Sequence, residues 1–218
     1  MGGPITAEEF IKKLERDPEY QARMKEKEKK RLKIAARNRR DSTGVLSDLA
    51  KIGFPVETVS ELFNRKLWYE QAIPVLIKWL PKMKNTKVKE SIVRALTVKW
   101  AKPQAAPLLV REYDKHTKPE DSALRWAISN ALCEVADDSV CDDVIRLAQD
   151  RRYGPDRQML MLVLGNMKDE RVLDVLIGLL GDDDVAGHAI MGLRKLKAER
   201  ARPHIEPFLE HPRRWVRK

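Results

Sequence analysis

The side chains that could do chemistry are few, and the chain spreads them far apart. The four histidines are His116, His188, His204 and His211. One of them, His188, follows Asp184 by four residues on a predicted helix, a spacing that could hold a metal ion. Asp182, Asp183 and Asp184 also suit a helix start, because carboxylates interact favourably with the positive end of a helix. We favour this second interpretation and predict no metal site.

Other catalytic patterns are missing from the sequence. It contains no glycine-rich phosphate-binding loop, no Gly-x-Ser-x-Gly elbow and no Cys-x-x-Cys pair. The two cysteines, Cys133 and Cys141, are predicted to be small core residues. Four tryptophans at helical positions are also predicted to belong to the core; they are Trp68, Trp79, Trp100 and Trp126. We therefore predict that the chain is not an enzyme and uses no cofactor.

Two cysteines are too few for a disulfide framework, and "MGGPITAEEF" lacks the apolar stretch of a secretory signal. The apolar run "MLMLVLG" is far shorter than the roughly 20 residues that span a bilayer. The sequence thus predicts a cytoplasmic protein that does not enter a membrane.

Positive charge is concentrated near the N-terminus. The formal net charge is +10, and residues 21–40 contain ten basic side chains against two acidic ones, whereas residues 41–211 sum to zero. The candidate contacts for an acidic partner or a nucleic acid are Arg23, Lys25, Lys29, Lys30, Arg31, Lys33, Arg37, Arg39 and Arg40. The alternative is a solvated helix supported by the pairs Glu26–Lys30 and Glu28–Arg31. The C-terminal "PRRWVRK" adds four more bases, and Trp215 among them could stack on a nucleic-acid base or cap the end of the fold.

Apolar residues recur with helical spacing from residue 43 onward. Leu124, Ile128, Ala131, Leu132 and Val135 follow one face of a helix. Units of two such helices begin at Asn85, Pro119, Gly154, Asp182 and Pro212, about thirty residues apart. Upstream, "YEQAIPVLIKWLPKM" is predicted to be a second helix whose partner is "VETVSELFNR", preceded by "TGVLSDLAKIG" with Gly53 after its end.

The units with the clearest pattern are "IVRALTVKWAKPQAAPLLVREY" and "AIMGLRKLKAERARPHIEPFLE". They resemble HEAT-like repeats of the phycobilisome-lyase type, and the likeness extends from about residue 43 to 218. The front stretch "TAEEFIKKLERDPEYQAR" is similar to parts of uncharacterised bacterial HEAT-repeat proteins. The resemblance implies an α-solenoid that serves as a binding surface. Some HEAT-like proteins are iron hydroxylases with His-Glu dipeptides, and no such dipeptide occurs here.

The predicted fold is all-α, an α-solenoid of about five stacked antiparallel helix pairs with a charged helical extension. Residues 1–40 form the extension and residues 41–218 the repeat domain. The predicted function is a noncatalytic scaffold that binds another protein along the solenoid surface. Its candidate contacts are Lys78, Arg111, Arg146 and Asp174. The alternative is nucleic-acid binding through residues 21–40, and a metal-dependent enzyme is the third hypothesis.

Overall fold

The computed structural model describes residues 6–217, so the first five residues, which begin the "MGGPITAEEF" stretch, and Lys218 lie outside it. Within this range the chain forms thirteen α-helices joined by short 3₁₀ turns and loops, with no β-strand. The all-α prediction is confirmed. The helices are α1 (Ala7–Arg16), α2 (Pro18–Asp41), α3 (Thr43–Lys51), α4 (Glu61–Asn64), α5 (Ile73–Trp79), α6 (Thr86–Ala95), α7 (Ala106–Lys115), α8 (Ser122–Val135), α9 (Cys141–Gln149), α10 (Gln158–Leu164), α11 (Arg171–Gly178), α12 (Ala186–Leu196) and α13 (Arg202–Ile205). None of these helices is long and apolar enough to cross a membrane.

The first two helices begin where their capping residues predict. Thr6 and Glu9 form a capping box at the start of α1, with the Thr6 hydroxyl accepting from the Glu9 N–H at 3.3 Å. Asp17 caps α2, and Pro18 occupies its first position. Neither helix buries a residue. Only the C-terminal part of α2 reaches the body of the protein, where it contacts α3 and α6.

The region between α3 and α5 differs from the sequence prediction. The predicted helix over "VETVSELFNR" is reduced to the single turn α4, and α5 packs against α3. The Glu61 carboxylate accepts from the N–H groups of Glu57 and Thr58 at 3.1 and 3.0 Å. These two hydrogen bonds satisfy the backbone without a helix, so residues 57–60 form turns instead. Gly53 follows α3 at a φ of 92°, as its predicted position requires.

The central helices form a chain of contacts in which α6 packs on α8, α8 on α10 and α10 on α12. The intervening helices pack beside them, with α7 against α8, α9 against α10 and α11 against α12. One hydrophobic core extends from Val45 in α3 to Ala201, just before α13. Each helix from α6 to α12 therefore buries its apolar face against a neighbour that is close in sequence.

Helices α10 and α12 approach each other closely at two glycines. A Cβ atom on Gly192 would lie 2.5 Å from the carbonyl oxygen of Met161, and one on Gly165 would lie 2.8 Å from the Gly192 Cα. Such distances are shorter than van der Waals contact. The two backbones can touch only because both positions are glycine.

Two buried arginines pair with aspartates that lie 25 to 31 residues further along the chain. The Arg125 guanidinium donates to Asp156 Oδ2 at 2.7 Å and to the carbonyl oxygens of His116 and Lys118. Arg157, with no exposed surface, donates to Asp182 Oδ2 at 3.0 Å and to the carbonyls of Ala148 and Gly154. Because the guanidinium groups of both arginines donate to acceptors inside the protein, we assign both side chains a structural role.

Candidate binding surfaces

The residues first considered for metal chemistry are not grouped in the structure. No set of three His, Cys, Asp or Glu side chains in residues 6–217 has a metal-binding arrangement. Asp184 lies 3.7 Å from Arg157, whereas the His188 ring packs against Trp215 with centroids 5.4 Å apart. Burial lowers the pKa of His188. Asp184 and His188, the two candidate metal ligands, therefore contact different side chains.

Both cysteines are unpaired thiols with little reactivity. Cys141 is buried and Cys133 is partly buried. Burial raises the pKa of each thiol to about 11. Because the thiolate is the reactive form, neither cysteine is suited to nucleophilic chemistry at neutral pH.

The four predicted protein contacts are all exposed, but three of them already have charged partners. Lys78 Nζ lies 2.8 Å from Asp48, and Arg146 Nη2 lies 3.1 Å from Asp114. Asp174 pairs with Arg200. Arg111 has no ion-pair partner among the described residues. The four side chains lie on four different helices, α5, α7, α9 and α11.

Two of the tryptophans assigned to the core are on the surface, so that prediction is wrong for them. Trp68 is 65% exposed and Trp126 is 51% exposed, while Trp79 and Trp100 are partly buried. The Trp68 ring lies against the Trp100 ring with centroids 4.4 Å apart. Trp126 follows the buried Arg125 on α8, so its position on the helix directs it away from the core. Trp126 lies opposite the stripe of Leu124, Ile128 and Ala131, so helical spacing could have predicted its exposure. Trp68 lies outside the helices.

The basic helix α2 is exposed along its length and mostly unpaired. The predicted pairs are present, with Lys30 Nζ 2.6 Å from Glu26 and Arg31 2.7 Å from Glu28. Near its end, Arg37 and Arg40 lie 3.5 and 3.9 Å from Asp41. The basic residues of α2 without an ion-pair partner in residues 6–217 are Arg23, Lys25, Lys27, Lys29, Lys33 and Arg39. Excess positive charge therefore faces solvent.

The end of α2 forms one wall of a pocket of about 600 Å³, here called the basic cleft. The opposite wall is the connection from α5 to α6. The residues lining it are Arg37, Arg40, Asp41, Trp79, Lys82, Met83, Lys84 and Asn85. Four basic side chains thus surround one carboxylate.

Hydrogen bonds hold the two walls of the basic cleft together. Asn85 caps α6 with its side-chain oxygen, and its amide group donates to Asp41 Oδ2 at 2.7 Å and to Asn38 Oδ1 at 2.9 Å. Trp79 Nε1 donates to Asp48 Oδ2 at 2.9 Å. Hydrogen bonds from Lys78 first, then Trp79 and Lys51, hold the pKa of Asp48 well below its usual range. The Asn85 amide group therefore links the end of α2 to the α5–α6 connection.

Lys82 and Lys84 are hidden in the neutral total charge of residues 41–211. Residues 78–102 contain eight basic side chains and one acidic one, whereas residues 134–184 contain thirteen acidic and six basic ones. The charges of these two segments cancel in the net charge of residues 41–211. The net charge of residues 78–102 alone indicates the basic surface to which Lys82 and Lys84 belong.

Comparison with known proteins gives no match to a family model, a curated protein or a solved structure.

Proposed function

We propose that this chain is a noncatalytic scaffold that binds another protein, built as an α-solenoid of HEAT-like helix pairs. The sequential packing of α6, α8, α10 and α12, each flanked by its sequence neighbour, supports this architecture. In a solenoid each pair contacts mainly the next pair, which leaves an extended surface free for a partner.

The exposed tryptophans are the observation that carries the proposal of a protein partner. Tryptophan is usually well buried, and when exposed it is enriched among the residues that dominate protein interfaces. Trp68, paired with Trp100, and Trp126 each present an aromatic surface to solvent. We place the principal contacts at Trp68 and Trp126, in preference to the charged residues chosen from the sequence.

The distribution of charge also favours a protein partner at the surface of residues 134–184. Residues 134–184 carry seven more acidic than basic side chains. A nucleic acid would be repelled there, whereas a protein with basic groups would not be.

The test is affinity capture from nuclease-treated native lysate with three forms of the full chain. We expect wild type and an Ile52→Ala/Leu209→Ala control to retain a common set of proteins that Trp68→Ala/Trp126→Ala loses. The control removes other exposed apolar side chains, and circular dichroism checks that all forms are folded. Equal recovery by the two variants would refute a site at the tryptophans.

A second candidate function, nucleic-acid binding through α2, is favoured by the unpaired basic residues of that helix. Contact with about six phosphates would give log affinity against log salt a slope of about −5 on duplex DNA. An affinity that stays constant between low and moderate salt would exclude this candidate.

A further inference from the structure

We infer that the basic cleft binds phosphate groups of a duplex nucleic acid and anchors one end of the strand that α2 contacts. The inference depends on the second candidate function, and it adds a second wall to a site that the sequence placed on α2 alone. It assigns Lys82 and Lys84, together with Arg37 and Arg40, to phosphate contacts.

The first step concerns the face of α2 that leads into the cleft. Lys29, Lys33, Arg37 and Arg40 are spaced by four, four and three residues, so they lie on one side of the helix. At a rise of about 1.5 Å per residue, this row spans about 16 Å. Arg37 and Arg40 line the cleft, so the row ends inside it. A phosphate backbone following the row therefore arrives at the cleft.

The second step concerns the opposite wall. Lys82 and Lys84 are exposed, have no ion-pair partner among the described residues, and come from the α5–α6 connection. A phosphate in the cleft therefore meets lysines on one side and guanidinium groups on the other. Planar guanidinium groups suit the oxygen geometry of phosphate, and ammonium groups add charge with free rotation.

The acid in the cleft does not oppose this assignment. Asp41 Oδ2 already accepts from Asn85 at 2.7 Å, and both cleft arginines lie within 3.9 Å of the same carboxylate. Asp41 thus positions the arginines and leaves the cleft with excess positive charge. At physiological salt, charges are screened beyond about 8 Å, so this excess acts mainly on a ligand in direct contact.

The cleft offers little to an apolar ligand. The Trp79 ring packs so closely on α3 that a Cβ on Gly44 would lie 2.3 Å from it, and Met83 is buried. A peptide or a lipid would need apolar contacts beside the charges. A polymer with regularly spaced phosphates needs only the basic row and the cleft, which is why we assign a nucleic acid.

The experiment measures binding of a fluorescently labelled 20-base-pair DNA to the full chain as a function of salt. The cleft variant is Arg40→Gln/Lys82→Gln/Lys84→Gln. The control, with the same charge change, is Arg111→Gln/Lys118→Gln/Arg194→Gln, at exposed positions outside the cleft. We expect the cleft variant to make the salt slope shallower by about 3 and the control to leave it nearly unchanged.

Other results would overturn the inference in distinguishable ways. If Lys25→Gln/Lys29→Gln/Lys33→Gln weakens binding while the cleft variant matches the control, the cleft assignment fails but nucleic-acid binding through α2 stands. If wild type does not bind the duplex, both fail. If polyglutamate, or vesicles with anionic lipid, competes as well as the duplex at equal charge, the cleft is a general anion site and the nucleic-acid assignment is wrong.

Discussion

At the scale of single residues, buried charges connect the helix pairs. Glu112 on α7 has no exposed surface and receives Lys89 Nζ from α6 at 2.5 Å and Lys115 Nζ at 3.0 Å. His116 Nε2 lies 3.7 Å from the same carboxylate. A buried ion pair contributes little net stability compared with apolar residues, but loss of one partner leaves an uncompensated charge.

We expect Lys89→Met to destabilise the protein by about 3 kcal/mol at pH 7, at the low end for a broken buried pair because Lys115 remains. Urea unfolding measures the change. The double variant Lys89→Met/Glu112→Met should cost clearly less than the sum of the two single variants, since no isolated charge remains. Additive costs would show that the two side chains do not interact.

Stability should also fall in acid. Burial raises the pKa of the Glu112 carboxyl group, but Lys89 and Lys115 lower it by more. Burial also raises the pKa of Asp182, and Arg157 more than offsets this effect. Both carboxyl groups therefore have a pKa below their ordinary values. A carboxyl group with a lowered folded-state pKa contributes its full stability above the unfolded pKa of about 4 and loses it as pH falls through the folded value. We expect the urea midpoint to decrease modestly as pH falls from 7 to 5, because burial opposes protonation of His188 in the folded state, and to decrease further below about pH 4. A midpoint that is unchanged at pH 3 would contradict this.

At the scale of helices, the glycine contact between α10 and α12 determines how closely they pack. We expect Gly192→Ala to destabilise the protein by about 1 to 3 kcal/mol, since the new methyl group would meet the Met161 carbonyl and the Leu176 side chain. This exceeds the gain of up to about 1 kcal/mol from the better helix former.

The matched control is Gly178→Ala at the end of α11, where a Cβ would meet nothing within 4 Å. It should leave stability unchanged or raise it by up to about 1 kcal/mol. Thermal unfolding of both variants tests the comparison. Equal effects would mean that the close approach does not limit packing.

The sequence predicted most helices correctly because burial of an apolar face imposes a period that residue types reveal. It failed where other forces decide. The Glu61 side chain bonds the backbone where a helix was predicted and turns form instead. Trp68 is exposed in a segment outside the helices, and Trp126 is exposed on the face of α8 opposite its apolar stripe. The cleft was also missed, because Asn85 and Asp41 are joined by a contact between residues 44 positions apart.

At the scale of the whole molecule, the solenoid proposal predicts that perturbations stay local. In a chain of nearest-neighbour contacts, damage at one interface weakens mainly the adjoining units. We expect Gly192→Ala to speed amide hydrogen exchange in α10, α11 and α12 and to leave α3 and α5 at the wild-type rate. Uniformly faster exchange would indicate a single cooperative bundle and would contradict the solenoid.

The separation of basic residues 78–102 from acidic residues 134–184 has a consequence for how partners meet this protein. At low ionic strength, opposite charges on different segments of the chain create a field that orients the molecule during diffusion, and added salt weakens this field. Under those conditions we expect an anionic polymer to approach α2 and the neighbouring lysines in preference to residues 134–184. We expect a cationic partner to approach residues 134–184 instead. Two ligands of opposite charge would then not compete for the same surface.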